Sequence, residues 1–207
     1  MIRYRKYPDV NEYQTHQGSK IEKNPALLTE GSSAEWIHDF VHELMPFIGM
    51  VPVGRVICLG ARRGAEVGAW QVFGFESIGI DLNPGPQTED TFGDKNLIGK
   101  VVCGDFHDIP DELGMFDVVY CNCLDHCQDI NQVLESVKGC LNRPGYFVMR
   151  FLRECKERDG SWESCFWDSS RDILEVILRQ GFEIVYHEET SYRMHADRED
   201  SLVVRLV

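Results

Sequence analysis

At 207 residues, 43% of them hydrophobic and 27% charged, the chain has globular composition and the length for one sizeable α/β domain. Its net charge of −13, from 34 acids against 21 bases, repels phosphate backbones and disfavours DNA or bulk RNA as a partner. No apolar run approaches the ~20 residues of a membrane span, and the opening MIRYRKYPDV lacks the apolar segment of a secretory signal.

Residues 1–30 are polar and tyrosine-rich (Tyr4, Tyr7, Tyr13) without a clear period, which predicts a loosely structured arm or a short helix. Ser32 and Glu35 have the spacing of a capping box. Trp36, Ile37, Phe40, Val41 and Leu44 then share one helical face up to Pro46. Val56-Ile57-Cys58-Leu59 is a short apolar run with no helical period, as in a buried strand. The turn Gly60-Ala61-Arg62-Arg63-Gly64 follows, and Val67, Trp70 and Phe73 suggest a helix stopped by Gly74. A second apolar run, Ile78-Gly79-Ile80, ends in Asp81, 21 residues after Gly60.

Asn83-Pro84-Gly85-Pro86 is a stretch of turn formers, and the polar segment from there to Gly99 shows no assignable pattern. Lys100 to Asp105 is a third strand ending in an acid, and Phe116 to Cys121 is a fourth. Asp129 caps a helix with Ile130, Val133, Leu134, Val137 and Leu141 on one face, broken at Asn142-Arg143-Pro144-Gly145. Tyr146 to Phe151 is the fifth strand. Arg150 near its end and Arg153, Lys156 and Arg158 beyond it are interleaved with acids and read as solvated surface. Ser169 and Asp172 cap the last helix, which ends at Gly181. Phe182 to Tyr186 and Leu202 to Leu206 follow with no helix between them.

This alternation predicts an α/β fold, a doubly wound, mostly parallel seven-stranded sheet with a C-terminal antiparallel hairpin. Residues 1–49 form an N-terminal arm and helix, and residues 50–207 the main domain. Eight cysteines without a secretory signal are expected as reduced thiols, which points to the cytoplasm.

A glycine turn between strand and helix lets backbone N–H groups and a helix N-terminus face a ligand. A carboxylate ending the next strand can accept two ribose hydroxyls. Gly60 to Asp81 is therefore a nucleoside-binding half-site. The dinucleotide fingerprint G-x-G-x-x-G is absent, because Arg62 stands at its second glycine.

From residue 50 onward the order CLGARRG, GIDL, CGDF, FDVVYCNCLDH, LNRPGYFVMRF and the closing pair FEIVYHEE and SLVVRLV resembles the class I S-adenosylmethionine-dependent methyltransferases. Within them it is similar to a subgroup with a CLGARxGxEV glycine loop. The resemblance implies that Gly60, Ala61, Arg62 and Gly64 lie against the methionine part of S-adenosyl-L-methionine. It implies that Asp81, with Leu82 beside it, binds the ribose, and that Asp105 and the Phe106 backbone meet the adenine. Cys121 and Asn122 would then face the amino group and sulfonium, and residues 1–49 would cover the site. Two departures stand out: Cys58 replaces the usual acid before the first glycine, and Arg62 the usual second glycine. Arg62 could pair with the cofactor's carboxylate, and Glu66 could take over from the missing acid.

Methyl transfer from a sulfonium requires positioning and sometimes proton removal. His126, in the cluster Cys121-Asn122-Cys123-Leu124-Asp125-His126-Cys127, is the candidate catalytic base; a structural role in holding its loop is the alternative. Asn122, Asp125 and His126 partly echo the E-x-x-E-H motif of metal-assisted RNA 2′-O-methyltransferases, with an amide at the first acid. A zinc site on Cys121, Cys123, His126 and Cys127 is sterically hard, and no metal is expected. The [DN]-P-P-[YF] motif of amino-directed DNA methyltransferases is absent.

The acceptor is expected to be a small molecule methylated at oxygen or nitrogen. Tyr4, Tyr7, Tyr13, His16, Trp162, Phe166, Trp167, Tyr192 and His195 are the candidates to shape its site, unless the tryptophans simply pin their loop to the core. Two alternatives remain: a non-catalytic scaffold of the same fold, and a nicotinamide-dependent oxidoreductase. The missing third glycine and the terminal hairpin count against the second. Neither the acceptor nor an oligomeric state can be read from the residues.

Overall fold

A computed structural model describes residues 1–23, 34–48, 54–85, 89–92, 95–158, 161–190 and 199–206. After β1 (Arg3–Tyr4) come two helices, α1 (Val10–Lys23) and α2 (Ala34–Ile48). The central unit follows as β2 (Arg55–Leu59), α3 (Ala65–Val72) and β3 (Glu76–Asp81). A hairpin, β4 (Glu89–Phe92) and β5 (Lys95–Ile98), fills the segment that carried no sequence pattern, and leads to β6 (Val101–Cys103). Next are β7 (Phe116–Cys121), α4 (Ile130–Cys140), β8 (Leu141–Leu152) and the short β9 (Cys165–Phe166). The chain closes with α5 (Ser170–Arg179), β10 (Phe182–Thr190) and β11 (Glu199–Leu206).

The main sheet has seven strands in the order β10-β11-β8-β7-β2-β3-β6. Strands β8, β7, β2, β3 and β6 run parallel, while β11 is antiparallel to both β8 and β10. The expected fold class is the observed one.

The absence of period in the β2 run has a direct cause. Val56 and Cys58 pack into the core on the α2/α3 face, and Ile57 and Leu59 into the core on the opposite face. A central strand buried on both sides has no polar side to alternate with. On the second face α4 presents Ile130, Val133, Leu134 and Val137, all fully buried, and α5 presents Ile173 and Ile177.

Some boundaries differ from expectation. Leu141 is not the last residue of the α4 face: its N–H still bonds Val137 O, but its backbone is extended and opens β8. The third strand is shorter than Lys100–Asp105, so Gly104 and Asp105 belong to the loop. The N-terminal arm is a 14-residue helix, α1. Arg150 is not solvated: it is 2% exposed and its Nε lies 2.7 Å from Glu199 Oε2. The Ser32–Glu35 capping box lies outside the described residues.

Candidate active site

The turn after β2 is set by backbone geometry. Gly60 and Ala61 both donate to the Ile80 carbonyl, at 2.8 and 3.2 Å, which binds this turn to the end of β3. Gly60 has φ +65°, and a Cβ there would fall 2.3 Å from Cys123 Sγ, so only glycine fits. Arg62 adopts φ +45° where the related pattern has glycine. That conformation costs a residue with a Cβ about 1 kcal/mol or more.

Asp81 clamps the two loops together. Its Oδ2 accepts from Arg62 N–H at 2.9 Å and its Oδ1 from Asn83 N–H at 2.7 Å. A carboxylate has about four lone-pair sites, so each oxygen keeps room for a hydroxyl donor.

Asp105 is held by its neighbour. Its Oδ1 accepts from His107 N–H at 2.9 Å and faces His107 Nδ1 at 2.6 Å, while His107 Nε2 accepts from Gln128 N–H at 2.9 Å. The Gln128 amide can only donate, so the neutral ring carries its proton on Nδ1. Burial opposes ionisation of Asp105, but the His107 bonds outweigh it and hold the carboxyl below its usual value. Phe106 is 4% exposed and stacks on the His107 ring, centroids 4.9 Å apart.

At the end of β7, Cys121 is buried in the core and Asn122 Nδ2 donates to Glu66 Oε1 at 3.3 Å. Glu66 sits in the first turn of α3, and burial pushes its carboxyl pKa up. Cys123 Sγ lies 3.9 Å from Cys121 Sγ and donates to Leu59 O at 3.4 Å. The Cys121 contact and burial together push its thiol pKa up.

His126 ends a short 3-10 turn, with Nδ1 at 3.1 Å from Trp162 O and Nε2 at 2.9 Å from Lys20 Nζ. Burial pushes its pKa below the usual histidine value, despite Asp125 Oδ2 at 3.9 Å from Nε2.

Helix α1 lies against this corner. Tyr13 OH donates to His126 O at 3.1 Å, and Gln17 Nε2 donates to Trp162 O at 2.9 Å and to Ser164 Oγ at 3.0 Å. Trp162 Nε1 donates in turn to Ser19 Oγ at 3.2 Å.

Together these elements form one pocket. Gly60, Arg62, Asp81, Leu82, Asn83 and Phe106 line it from the sheet side, and Tyr13, Gln17, Lys20, Cys123 and His126 close it. Seven of the sequence candidates therefore meet there: Tyr13, Gly60, Arg62, Asp81, Leu82, Phe106 and His126. Ala61 and Gly64 shape the turn, Asp105 and Asn122 stand just behind it, and Cys121 faces the core. Phe166 and Trp167 are buried core residues, Trp167 Nε1 donating to Leu152 O at 2.8 Å. Tyr192 and His195 lie outside the described residues. The sequence reading missed Gln17, Lys20, Asn83 and Cys123. The helical spacing of Tyr13, Gln17 and Lys20 was the signal for the first two.

Among the described residues no three or more His, Cys, Asp or Glu side chains are grouped to hold a metal ion. None of the described helices is long and apolar enough to cross a membrane.

A family model described as a methyltransferase domain matches residues 57–149. No curated protein matches the chain. Among solved structures, 1,6-didemethyltoxoflavin-N1-methyltransferase from Burkholderia thailandensis, bound to 1,6-didemethyltoxoflavin and S-adenosylhomocysteine, is similar with TM-score 0.71 at 16% identity. That match covers 99% of this chain and 94% of the other. An S-adenosylmethionine-dependent methyltransferase from Clostridium acetobutylicum gives 0.62 at 13% identity, covering 91% and 98%. Magnesium protoporphyrin IX methyltransferase from Synechocystis, bound to S-adenosylhomocysteine, gives 0.62 at 14% identity, covering 84% and 83%. At these identities the likeness is one of fold: that of S-adenosylmethionine-dependent methyltransferases.

Proposed function

We propose that this chain, which carries a methyltransferase domain at residues 57–149, moves a methyl group from S-adenosylmethionine to an oxygen or nitrogen of a small molecule. The observation that carries the reading is the junction at Asp81. One carboxylate fixes the glycine turn and the loop after β3, and still has lone pairs facing the pocket.

The residues suit the cofactor. The turn from Gly60 to Gly64, with Gly60 and Arg62 on the pocket wall, suits its methionine part. Arg62 suits its carboxylate. Asp81 and Leu82 suit the ribose, and Asp105, fixed by His107, suits the adenine beside Phe106. Asn122 and the backbone of Cys121 suit the amino group, with Glu66 behind them offering a buried acid where Cys58 offers none. When bound, the cofactor supplies an electrophilic methyl group. This chain's residues orient it, exclude water and place the acceptor.

We assign residues 1–49 to covering this site, because Tyr13, Gln17 and Lys20 close the pocket. We place the protein in the cytoplasm, where its eight free cysteines stay reduced.

The test is methyl labelling. Protein is incubated with S-adenosylmethionine carrying a labelled methyl and a small-molecule extract, and labelled products are identified by mass spectrometry. One labelled compound, absent with Asp81→Ala, supports the reading, and S-adenosylmethionine binding with no product supports a scaffold. The scaffold reading has its own observation: the left-handed Arg62 and buried Cys58 occupy the positions where the related pattern has glycine and acid.

A further inference from the structure

Lys20 reaches from α1 into the pocket, where its ammonium lies 2.9 Å from His126 Nε2. His126 Nδ1 faces the Trp162 carbonyl, which only accepts, so the ring proton is on Nδ1 and Nε2 offers a lone pair. One of the three ammonium protons is therefore spent on a neutral imidazole. Among the described residues no carboxylate comes within 4.0 Å of Lys20. Burial disfavours its charge; Asp125 and Glu163 favour it from further away, and Arg62 opposes it. An ammonium at the wall of a pocket is stable there when an anion pairs with it.

The methyl donor makes this imbalance larger, because a sulfonium adds another positive charge next to Lys20 and Arg62. Asp81, Asp125 and Glu163 offset part of this charge, but a neutral or cationic acceptor would leave the Lys20 ammonium without a directly paired anion. We propose that the acceptor is an oxyanion, a carboxylate or an ionised enol or phenol, held by the Lys20 ammonium, with His126 as the positioning residue that orients Lys20. This rests on the methyltransferase reading of the same pocket.

The chemistry agrees with the hydrogen bonds. An anionic oxygen forms its bond to the methyl carbon with its own electron pair. The pair of the broken S–C bond stays on sulfur, and no proton is released. No base is required, and the only lone pair on His126 is already engaged by Lys20.

The test uses full-length protein saturated with S-adenosylhomocysteine and titrated calorimetrically with benzoate, 4-nitrophenolate, benzyl alcohol and benzylamine. The two anions should bind at least about tenfold more tightly than the alcohol and the amine. Lys20→Met should abolish that preference in protein still saturated with S-adenosylhomocysteine, and Lys20→Arg should retain it. Absent or equal binding of the anions, or a preference that survives Lys20→Met, overturns the oxyanion assignment alone. Failure of the wild type to bind S-adenosylhomocysteine takes the methyltransferase reading down with it.

Discussion

Asp81 joins structure and ligand in one side chain. Its carboxylate accepts from the Arg62 and Asn83 N–H groups and keeps lone pairs for further donors, which we assign to the two ribose hydroxyls. Asp81→Ala should weaken S-adenosylhomocysteine binding by at least about tenfold, since a hydrogen bond to a charged group is worth about 1.5–3 kcal/mol. The same substitution should lower the melting temperature, because the clamp between the two loops is lost. Glu66 gives a pH-dependent prediction. Burial raises its pKa above the usual carboxyl value, so the native state keeps a proton that the unfolded chain has released. Stability therefore falls as pH rises from 4.5 through the folded-state value. Glu66→Gln keeps an acceptor for Asn122 and removes that loss. Its stability gain over wild type should be larger near pH 7 than near pH 4 in urea denaturation; an equal difference at both would contradict it.

At the scale of elements, the helices differ in how much of them the sequence announces. Helix α4 carries both its signals locally: a full apolar face, and Asp129 Oδ1 accepting from Asn131 N–H at 2.8 Å. Asp129→Ala should remove about 1 kcal/mol and lower the melting temperature by about 2–4 °C, measurable by calorimetry. Helix α1 carries almost none. Tyr13 is the only fully buried apolar residue among its described side chains, and its anchors are polar bonds to His126 and to residues 161–164, such as Gln17 to Trp162, 145 positions away. Periodicity reports local amphipathicity, and no local pattern encodes so distant a partner. This is why the polar arm read as a loose arm or a short helix: the spacing of Tyr13, Gln17 and Lys20 puts them on one face but does not say what that face meets. Asn83 and Cys123 escaped for a related reason: they enter the pocket through loop geometry that no motif spacing specifies.

At the scale of the molecule, the strand directions were readable because strand–helix alternation implies parallel strands and two final strands with no helix between them imply an antiparallel pair. The buried ion pair between β8 and β11 was not, because Arg150 sits in a charged stretch that looks like surface. Its burial follows from the register, in which Ser201 stands opposite Arg150 and Glu199 opposite Leu152, under the α2/α3 face. Glu199→Ala should therefore destabilise the protein by about 3 kcal/mol, more than a surface pair would. Chemical denaturation would show it as a lower midpoint at unchanged slope.

The central claim is that this pocket binds S-adenosylmethionine despite Arg62 and Cys58. Calorimetric titration with S-adenosylmethionine and S-adenosylhomocysteine, with NADH as control, tests it most directly. Micromolar binding of the first two and none of NADH is the predicted result. Binding of NADH alone, or of none of the three, would contradict it and leave a fold whose cofactor site does not work.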